Sequence, residues 1–184
     1  IKSKPIVTGP LIFGLKIERN EKTSRLKAQY TTNGQKIILH AGTPKHRSES
    51  RLYNYETLDE YVDGIVSLVK ACEEIDRIHL IVRFRPIDGL SPADLEELLP
   101  NSDNWSIASD GTFSDYLAIS DLLVSFSSTT IEEALQNNVP VLLYNKCNRY
   151  RHIQGTDLNR LDLNPEVSAV YNIEKEERLI NGLQ

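Results

Sequence analysis

The sequence predicts an α/β fold, with a doubly wound, mostly parallel Rossmann-like sheet that carries helices on both faces. Short runs such as residues 36–41 and 78–84 are nearly all apolar, as strands buried on both faces are. These runs alternate with longer stretches, such as residues 58–72, in which apolar residues recur at helical spacing. Strands that alternate with helices favour a parallel sheet covered on both sides.

The predicted elements follow one another along the chain without an internal repeat. Thr57 and Glu60 form a capping box that opens one helix, and Ser91 followed by Pro92 opens another. The predicted strands cover residues 36–41, 78–84, 105–108, 121–125, 139–144 and 168–171. The predicted helices begin at residues 58, 92, 113, 130 and 173. Residues 145–163 are polar and are predicted to be irregular.

The chain divides into two regions of different character. Residues 1–35 contain a short predicted strand at 6–10 and then a polar, charged stretch, and we interpret them as a linker or tail from an N-terminal domain outside this sequence. Residues 36–184 carry the regular alternation and are predicted to form one domain. The sequence begins at Ile1 and contains no methionine, which favours a piece of a longer protein.

Composition disfavours several functional classes. A net charge of -5 disfavours bulk nucleic-acid binding, which requires a basic face. The two cysteines, Cys72 and Cys147, lie far apart and have no Cys/His spacing typical of zinc sites, so we expect free thiols and no metal. No apolar run is long enough to span a bilayer, and no secretory leader is visible. We therefore expect a cytoplasmic protein, with a peripheral position at the inner face of the membrane as the alternative.

The segment from residue 125 to 135 carries the most chemical information. Ser127, Ser128 and Thr129 form a hydroxyl-rich turn between a strand end and a helix start, where free backbone amides can bind a phosphate. Glu133 lies one turn further on, where a carboxylate can accept hydrogen bonds from two sugar hydroxyls. The alternative is that these hydroxyls only cap the helix and that the carboxylates complement its dipole.

Two arginines end the second predicted strand at the edge where ligands bind in such sheets. Arg83 and Arg85 alternate, so both can face one side, and a guanidinium there can clamp a diphosphate. The alternative is an ordinary surface salt bridge for each.

Two basic runs, residues 45–47 and 149–152, follow strands at the same predicted edge and are candidates for contacts with phosphates, the base or an acceptor, or else solvated loops. His40 and His79 lie inside strands and are predicted to be buried structural residues. The sequence has no Gly-Lys-Ser/Thr phosphate loop, no Gly-x-Gly-x-x-Gly fingerprint and no serine-hydrolase elbow. A nucleoside-triphosphate hydrolase and a nicotinamide dehydrogenase are therefore disfavoured.

Residues 121–141 resemble the donor-site signature of GT-B glycosyltransferases. In that family an Asp-hydrophobic-hydrophobic-Val-Ser strand leads to small residues, then Glu-Ala, then a turn and Pro-Val, as it does here. Residues 7–10, 37–47 and 82–86 are similar to other family segments, with less specificity. The nearest resemblance is to capsule, lipopolysaccharide and polyglycerol-phosphate transferases. This chain has Arg85-Pro86 where many relatives have His-Pro, and Ser125 where the polyglycerol-phosphate group has Asp.

The resemblance implies that residues 36–184 form the nucleotide-sugar-binding, C-terminal domain of a glycosyltransferase active in cell-surface polysaccharide synthesis. It implies no metal or other cofactor, a saccharide or lipid-linked acceptor, and a catalytic base on the chain's own N-terminal domain, so that the fragment alone is inactive. Glu133 would hold the ribose, and Arg85 would stabilise the leaving group. The remaining implied donor contacts are Gly42, Thr43, Ser127, Ser128 and Thr129, while residues 110–112 would line the base by their backbone.

Two other functions stay open at this point. A nucleotide-sugar 2-epimerase shares the architecture and the serine-rich turn, and would need acidic and histidine side chains from both domains. A non-catalytic nucleotide-binding module is the second alternative. Glu132 has no role by the resemblance and is expected on the helix surface or as a cap partner.

Overall fold

A parallel seven-stranded sheet forms the centre of the computed structural model, which describes residues 16–31, 34–42, 44, 56–87, 89–159 and 167–184. The predicted strand at 6–10, Thr43 and the basic run 45–47 lie outside the described residues. The strands are β1 (Lys36–Gly42), β2 (Ile78–Phe84), β3 (Trp105–Ile107), β4 (Leu122–Ser125), β5 (Val141–Tyr144), β6 (Thr156–Asp157) and β7 (Val170–Ile173). The helices are α1 (Glu21–Tyr30), α2 (Leu58–Glu73), α3 (Pro92–Leu98), α4 (Phe113–Ile119), α5 (Thr130–Gln136) and α6 (Leu179–Leu183), the last preceded by a 3₁₀ turn, Glu176–Arg178.

The order of the strands across the sheet is β3-β2-β1-β4-β5-β7-β6, and each neighbouring pair is parallel. The chain therefore builds the sheet outward from β1 in one direction and then returns to the centre to build it outward from β4 in the other. The predicted doubly wound, parallel α/β fold is confirmed.

Two apolar cores lie on opposite faces of this sheet. Ile38 faces the core formed with α2, α3 and α6, whereas its neighbours Ile37 and Leu39 face the core formed with α4 and α5. Alternate side chains of a strand point to opposite faces, and both faces of β1 are covered by helices. This double burial is the reason that the central strands read as continuous apolar runs.

Helices α1 to α4 all begin at a residue whose side chain caps the helix. Each capping residue accepts a hydrogen bond from the third helical amide, and the side chain of that third residue bonds back to the capping residue's amide. The four pairs are Asn20 and Thr23, Thr57 and Glu60, Ser91 and Asp94, and Thr112 and Asp115. The sequence therefore fixes four of the helix starts locally.

Helix α1 lies inside the stretch that we interpreted as a polar linker. Leu26 and Tyr30 pack against the core beside α4, and the Tyr30 hydroxyl lies 3.1 Å from that of Tyr116. The backbone amide of Ile17 also donates to the side chain of Asn137 at 2.9 Å. Residues 16–31 are thus packed on the domain rather than forming an irregular tether. The domain boundary at residue 35 remains a prediction.

The carboxyl-terminal part differs from the prediction in two places. Residues 145–163 were predicted to be irregular, yet Thr156–Asp157 forms β6, which pairs in parallel with β7. The predicted terminal helix is divided into the end of β7, the 3₁₀ turn and the short α6. Ile173 ends β7 and is fully buried in the core that contains α2 and α6.

Candidate functional site

The centre of the sheet contains a topological switch point, between β1 and β4. The loop after β1 leads to α2 on one face, and the loop after β4 leads to α5 on the other. Loops that part in this way leave a crevice outside the carboxyl ends of the two strands, where open α/β sheets bind their ligands. The Ser125 hydroxyl donates to the carbonyl oxygen of Ala41 at 2.7 Å and so ties the two strand ends together.

The hydroxyl-rich turn lies directly at this switch point. Thr129 is the N-terminal capping residue of α5, but its side chain makes no capping hydrogen bond, unlike the caps of α1 to α4. The Ser128 hydroxyl accepts only a long bond, 3.4 Å, from the amide of Thr130. Ser127 and Ser128 are half-buried, and Thr129 is exposed. The interpretation of Thr129 as a simple side-chain cap is therefore not supported by its geometry.

Glu133 and Glu132 occupy different surroundings in the first turn of α5. The carboxylate of Glu133 is half-buried, makes no hydrogen bond within the part of the chain that the structure describes, and has its pKa raised by burial. Oε1 of Glu132 lies 2.6 Å from Nε2 of His152, and its Oε2 is buried with no hydrogen-bond partner among the described residues. Glu132 is thus not a simple surface residue, since it joins α5 to the segment after β5.

Gly42 ends β1 at the switch point and is closely packed by a helix. A Cβ atom at this position would lie 2.7 Å from Cε2 of Tyr61 in α2, a distance that real side chains do not tolerate. The packing of Tyr61 therefore explains the glycine, in addition to any contact with a ligand.

The two arginines of β2 have different surroundings. The guanidinium of Arg83 donates to the carbonyl oxygens of Asp110 and Gly111 at 2.5 and 2.7 Å, and its Cζ lies 4.9 Å from the centre of the Tyr116 ring. Arg83 therefore braces the loop after β3, and it forms no salt bridge with any residue that the structure describes. Arg85 is exposed and has no ion pair within the described ranges.

Each basic side chain of the run 149–152 already has a carboxylate partner. These pairs hold the segment after β5 against α2, α5 and the end of β7. The pairs are Arg149 with Glu60, Arg151 with Glu174 at 2.6 Å, and His152 with Glu132 at 2.6 Å. Sequence reasoning missed these partners because each lies at least 20 residues away along the chain.

The histidines and cysteines match their structural interpretation. His40 and His79 are both buried, and burial lowers the pKa of His40 to about 4. His79 lies 2.9 Å from the hydroxyl of Ser106. Cys72 and Cys147 are free, and burial raises the pKa of Cys72 to about 12.

Neither a metal centre nor a membrane-crossing helix is found in the part of the chain that is described. No three histidine, cysteine or acidic side chains are grouped there in a way that could hold a metal ion. No helix in those ranges is both long enough and apolar enough to cross a membrane.

Comparison by sequence finds neither a matching protein-family model nor a matching curated protein. Comparison by structure finds the wall teichoic acid polymerase TagF soaked with CDPG, with a TM-score of 0.55 and 13% identity over 89% of this chain. The UDP-GlcNAc 2-epimerase of Methanocaldococcus jannaschii in complex with UDP-GlcNAc and UDP matches with a TM-score of 0.53 and 18% identity over 90%. The Neisseria meningitidis epimerase bound to UDP-GlcNAc matches with a TM-score of 0.52 and 14% identity over 87%.

The chain shares their fold. It spans 35% of the TagF chain and 41% and 38% of the two epimerases, so it corresponds in size to well under half of each protein. The predicted Rossmann-like half of a GT-B architecture is confirmed as a fold.

Proposed function

We propose that this chain is the nucleotide-binding half of a glycosyltransferase, which transfers a sugar from a nucleotide-sugar to an acceptor in cell-surface polysaccharide synthesis. The observation that carries the proposal is the switch point between β1 and β4. The segment that resembles a donor-site signature, residues 121–141, contains β4 and the turn on one side of that crevice. Gly42 ends the strand on the other side.

The arrangement around the turn suits a nucleotide diphosphate. Backbone amides at the start of α5 can donate to phosphate oxygens, and the hydroxyls of Ser127, Ser128 and Thr129 lie beside them. Glu133 lies one turn further, where its carboxylate can accept hydrogen bonds from the two ribose hydroxyls. A donor bound in this way would place its phosphates over the crevice and its ribose against α5.

Sugar transfer requires stabilisation of the negative charge that grows on the departing diphosphate. Amides of the turn can supply this, and Arg85 is an exposed cation at the carboxyl end of β2, next to β1. Activation of the acceptor hydroxyl requires a base. We assign that base to the other domain of the complete protein, and we expect this chain alone to bind nucleotide without turnover.

A nucleotide-sugar 2-epimerase is the second candidate, because two epimerases match the fold about as well as TagF does. Incubation of the complete protein with a labelled nucleotide-sugar and no acceptor separates the two functions. A transferase leaves the sugar unchanged under these conditions, whereas an epimerase converts it.

Titration of the chain with UDP, CDP, GDP and CMP, followed by NMR chemical shifts, tests the proposal directly. Because half of the cleft is missing, we expect a dissociation constant of roughly tens of micromolar to millimolar. The shifts should be concentrated in residues 125–133 and at Gly42. Absence of any response at millimolar nucleotide would overturn the proposal.

A further inference from the structure

A cavity of about 20 Å³ lies beneath the switch point, between the carboxyl ends of β1, β4 and β5 and the inner face of α2. Its walls include polar and aromatic side chains together with two glycines. Among the lining residues are His40, Gly42, Tyr61, Gly64, Ser125 and Tyr144.

Three buried polar atoms of this wall have no hydrogen-bond partner among the described protein groups: Nδ1 of His40, Oη of Tyr61 and Oη of Tyr144. The exposed fractions of these residues are 8%, 3% and 6%. Such atoms are rare, because a buried polar group without a partner loses its hydration and gains nothing in return. All three residues line the same cavity, so their unpartnered atoms need a common physical explanation.

Other groups near the cavity do not satisfy these three atoms. The Ser125 hydroxyl already donates to Ala41, as described above. The rings of His40 and Tyr61 are tilted by 56° with their centroids 5.6 Å apart, and no direct hydrogen bond joins them. The Tyr144 hydroxyl lies near Ser67 but outside hydrogen-bond geometry, and the Ser67 hydroxyl already donates to the carbonyl oxygen of Asp63 at 2.9 Å and accepts from Nζ of Lys146 at 3.2 Å.

The size of the cavity is compatible with a bound water. A water molecule needs about 10–15 Å³ of space and two to four polar partners. The cavity is large enough for one water molecule. His40 is neutral at physiological pH because burial lowers its pKa to about 4. Each nitrogen of a neutral imidazole can donate or accept one hydrogen bond, according to its tautomer, and a phenol hydroxyl can donate to or accept from a water molecule.

We propose that one ordered water occupies this cavity and hydrogen-bonds Nδ1 of His40 and Oη of Tyr61, with Oη of Tyr144 as its third partner. The water joins β1, β5 and α2 beneath Gly42 and Ser127, which both border the cavity. It therefore supports from below the chain at the ends of β1 and β4, at Gly42 and Ser127. This site does not depend on nucleotide binding, so it can be tested separately from the proposed function.

A crystal structure of the chain at about 1.5 Å resolution tests the site. We expect an isolated density peak within about 3.2 Å of both His40 Nδ1 and Tyr61 Oη. The peak should weaken or vanish in Tyr61→Phe and persist in the control Tyr171→Phe, whose hydroxyl accepts the amide hydrogen of Ser168 outside the cavity. A wild-type cavity without density, or a direct hydrogen bond between His40 and Tyr61, would overturn the proposal.

The direction in which Tyr61→Phe changes the melting temperature gives an independent test. If the hydroxyl binds a water, its removal leaves that water and His40 with one partner fewer, and the melting temperature falls. If the cavity is dry, the substitution removes a buried hydroxyl without a partner, and the melting temperature stays or rises. A fall in both Tyr61→Phe and Tyr144→Phe supports the water, whereas no fall in either contradicts it.

Discussion

The carboxylate of Glu133 lies where burial opposes its charge. Burial raises its pKa, and no described side chain donates a hydrogen bond to it. A carboxylate of this kind lowers the stability of the ligand-free protein. It contributes to binding when a ligand supplies hydrogen-bond donors to it. Active sites often contain such residues, since they trade stability for binding.

We predict that Glu133→Gln stabilises the chain at neutral pH and weakens nucleotide binding. An acid whose pKa is raised in the folded state lowers the free energy of unfolding as pH rises above the pKa that it has in the unfolded chain. Glutamine does not ionise, so the variant avoids this loss. Binding should weaken by about 1.5–3 kcal/mol, because hydrogen bonds to a charged acceptor are lost. Thermal melting and nucleotide titration measure the two effects, with Glu97→Gln on α3 as the exposed control. Lower stability together with unchanged affinity would contradict this assignment.

We predict that Gly42→Ala destabilises the chain by about 1–3 kcal/mol, because its Cβ would overlap the Tyr61 ring, which is held in the core. Gly89→Ala is a useful comparison: its glycine has a positive φ of 87° but no atom within 4 Å of the added Cβ. The cost of Gly89→Ala is therefore conformational only. The double variant Gly42→Ala/Tyr61→Ala should lose less stability than the sum of its two single variants, because the overlap is removed. The double variant Gly42→Ala/Gly89→Ala should lose the sum of its two single variants. Urea unfolding of the single and double variants measures these energies.

At the site, the sequence is informative where the relevant residues are contiguous. The turn at Ser127 to Thr129 and the carboxylate of Glu133 belong to one short segment, and the segment lies at the switch point as expected. The contacts that sequence reasoning missed join distant positions: Glu132 with His152, Arg83 with the loop after β3, and Gly42 with Tyr61. Only the fold brings those residues together, and nothing in the local pattern encodes them.

At the scale of elements, the segment from residue 145 to 155 is held by side-chain contacts with carboxylates that differ in their remaining partners. The side chains of the His152–Glu132 and Arg151–Glu174 pairs are similarly exposed, at 19% and 34% against 36% and 22%. The first pair also involves a buried carboxylate oxygen, Oε2 of Glu132. Loss of its partner should therefore cost more than loss of an ordinary surface pair.

We predict that His152→Ala lowers the free energy of unfolding by about 1–3 kcal/mol, because the partly buried carboxyl group of Glu132 loses its hydrogen-bond partner. Arg151→Ala should cost less than about 1 kcal/mol, because Glu174 keeps a second donor in Nδ2 of Asn172, at 3.3 Å. Hydrogen exchange of residues 145–155 should accelerate more in the first variant. Equal effects of the two substitutions on stability and exchange would show that the buried Oε2 of Glu132 has no consequence for stability.

The same scale shows which elements the sequence predicts well. β1 and β2 agree with their predicted bounds to within one residue, because both faces are buried and the apolar run is continuous. β6 is only two residues long and carries no such pattern. α1 was missed because most of its residues are polar, and its helical state depends on the Asn20 cap and on packing against α4.

At the scale of the whole molecule, acid stability should depend on a few named groups. His40 is neutral in the fold, with a pKa of about 4 against an ordinary value of 6.5, so the unfolded chain binds its proton first. The stability that depends on a neutral His40 is fully present above pH 6.5 and is lost progressively as pH falls from 6.5 to 4. Hydrogen bonding to Arg149 lowers the pKa of Glu60 to about 2, so that contribution is lost between about pH 4.5 and 2.

We predict that the free energy of unfolding falls as pH is lowered from 6.5 to 4, with His40 contributing about 3 kcal/mol of this loss. His40→Gln should flatten the dependence in that window and leave the decline below pH 4.5 in place. Arg149→Ala should leave the decline between pH 6.5 and 4 in place and flatten the decline below pH 4.5. Urea unfolding at several pH values gives both slopes, and a wild-type curve that is flat between pH 6.5 and 4 would rule out burial of a neutral His40.

The strand order has a further consequence for how the chain reaches its fold during synthesis. β1 pairs with β2 and with β4, yet β4 follows β1 by about 80 residues. While the ribosome is still making the intervening segments, the backbone edge of β1 that later pairs with β4 has no partner. The face of β1 that carries Ile37 and Leu39 is also not yet covered by α4 and α5. Unpaired apolar edges recruit other chains. A nascent chain halted near residue 115 should therefore be far more prone to aggregation and chaperone binding than one released after residue 150.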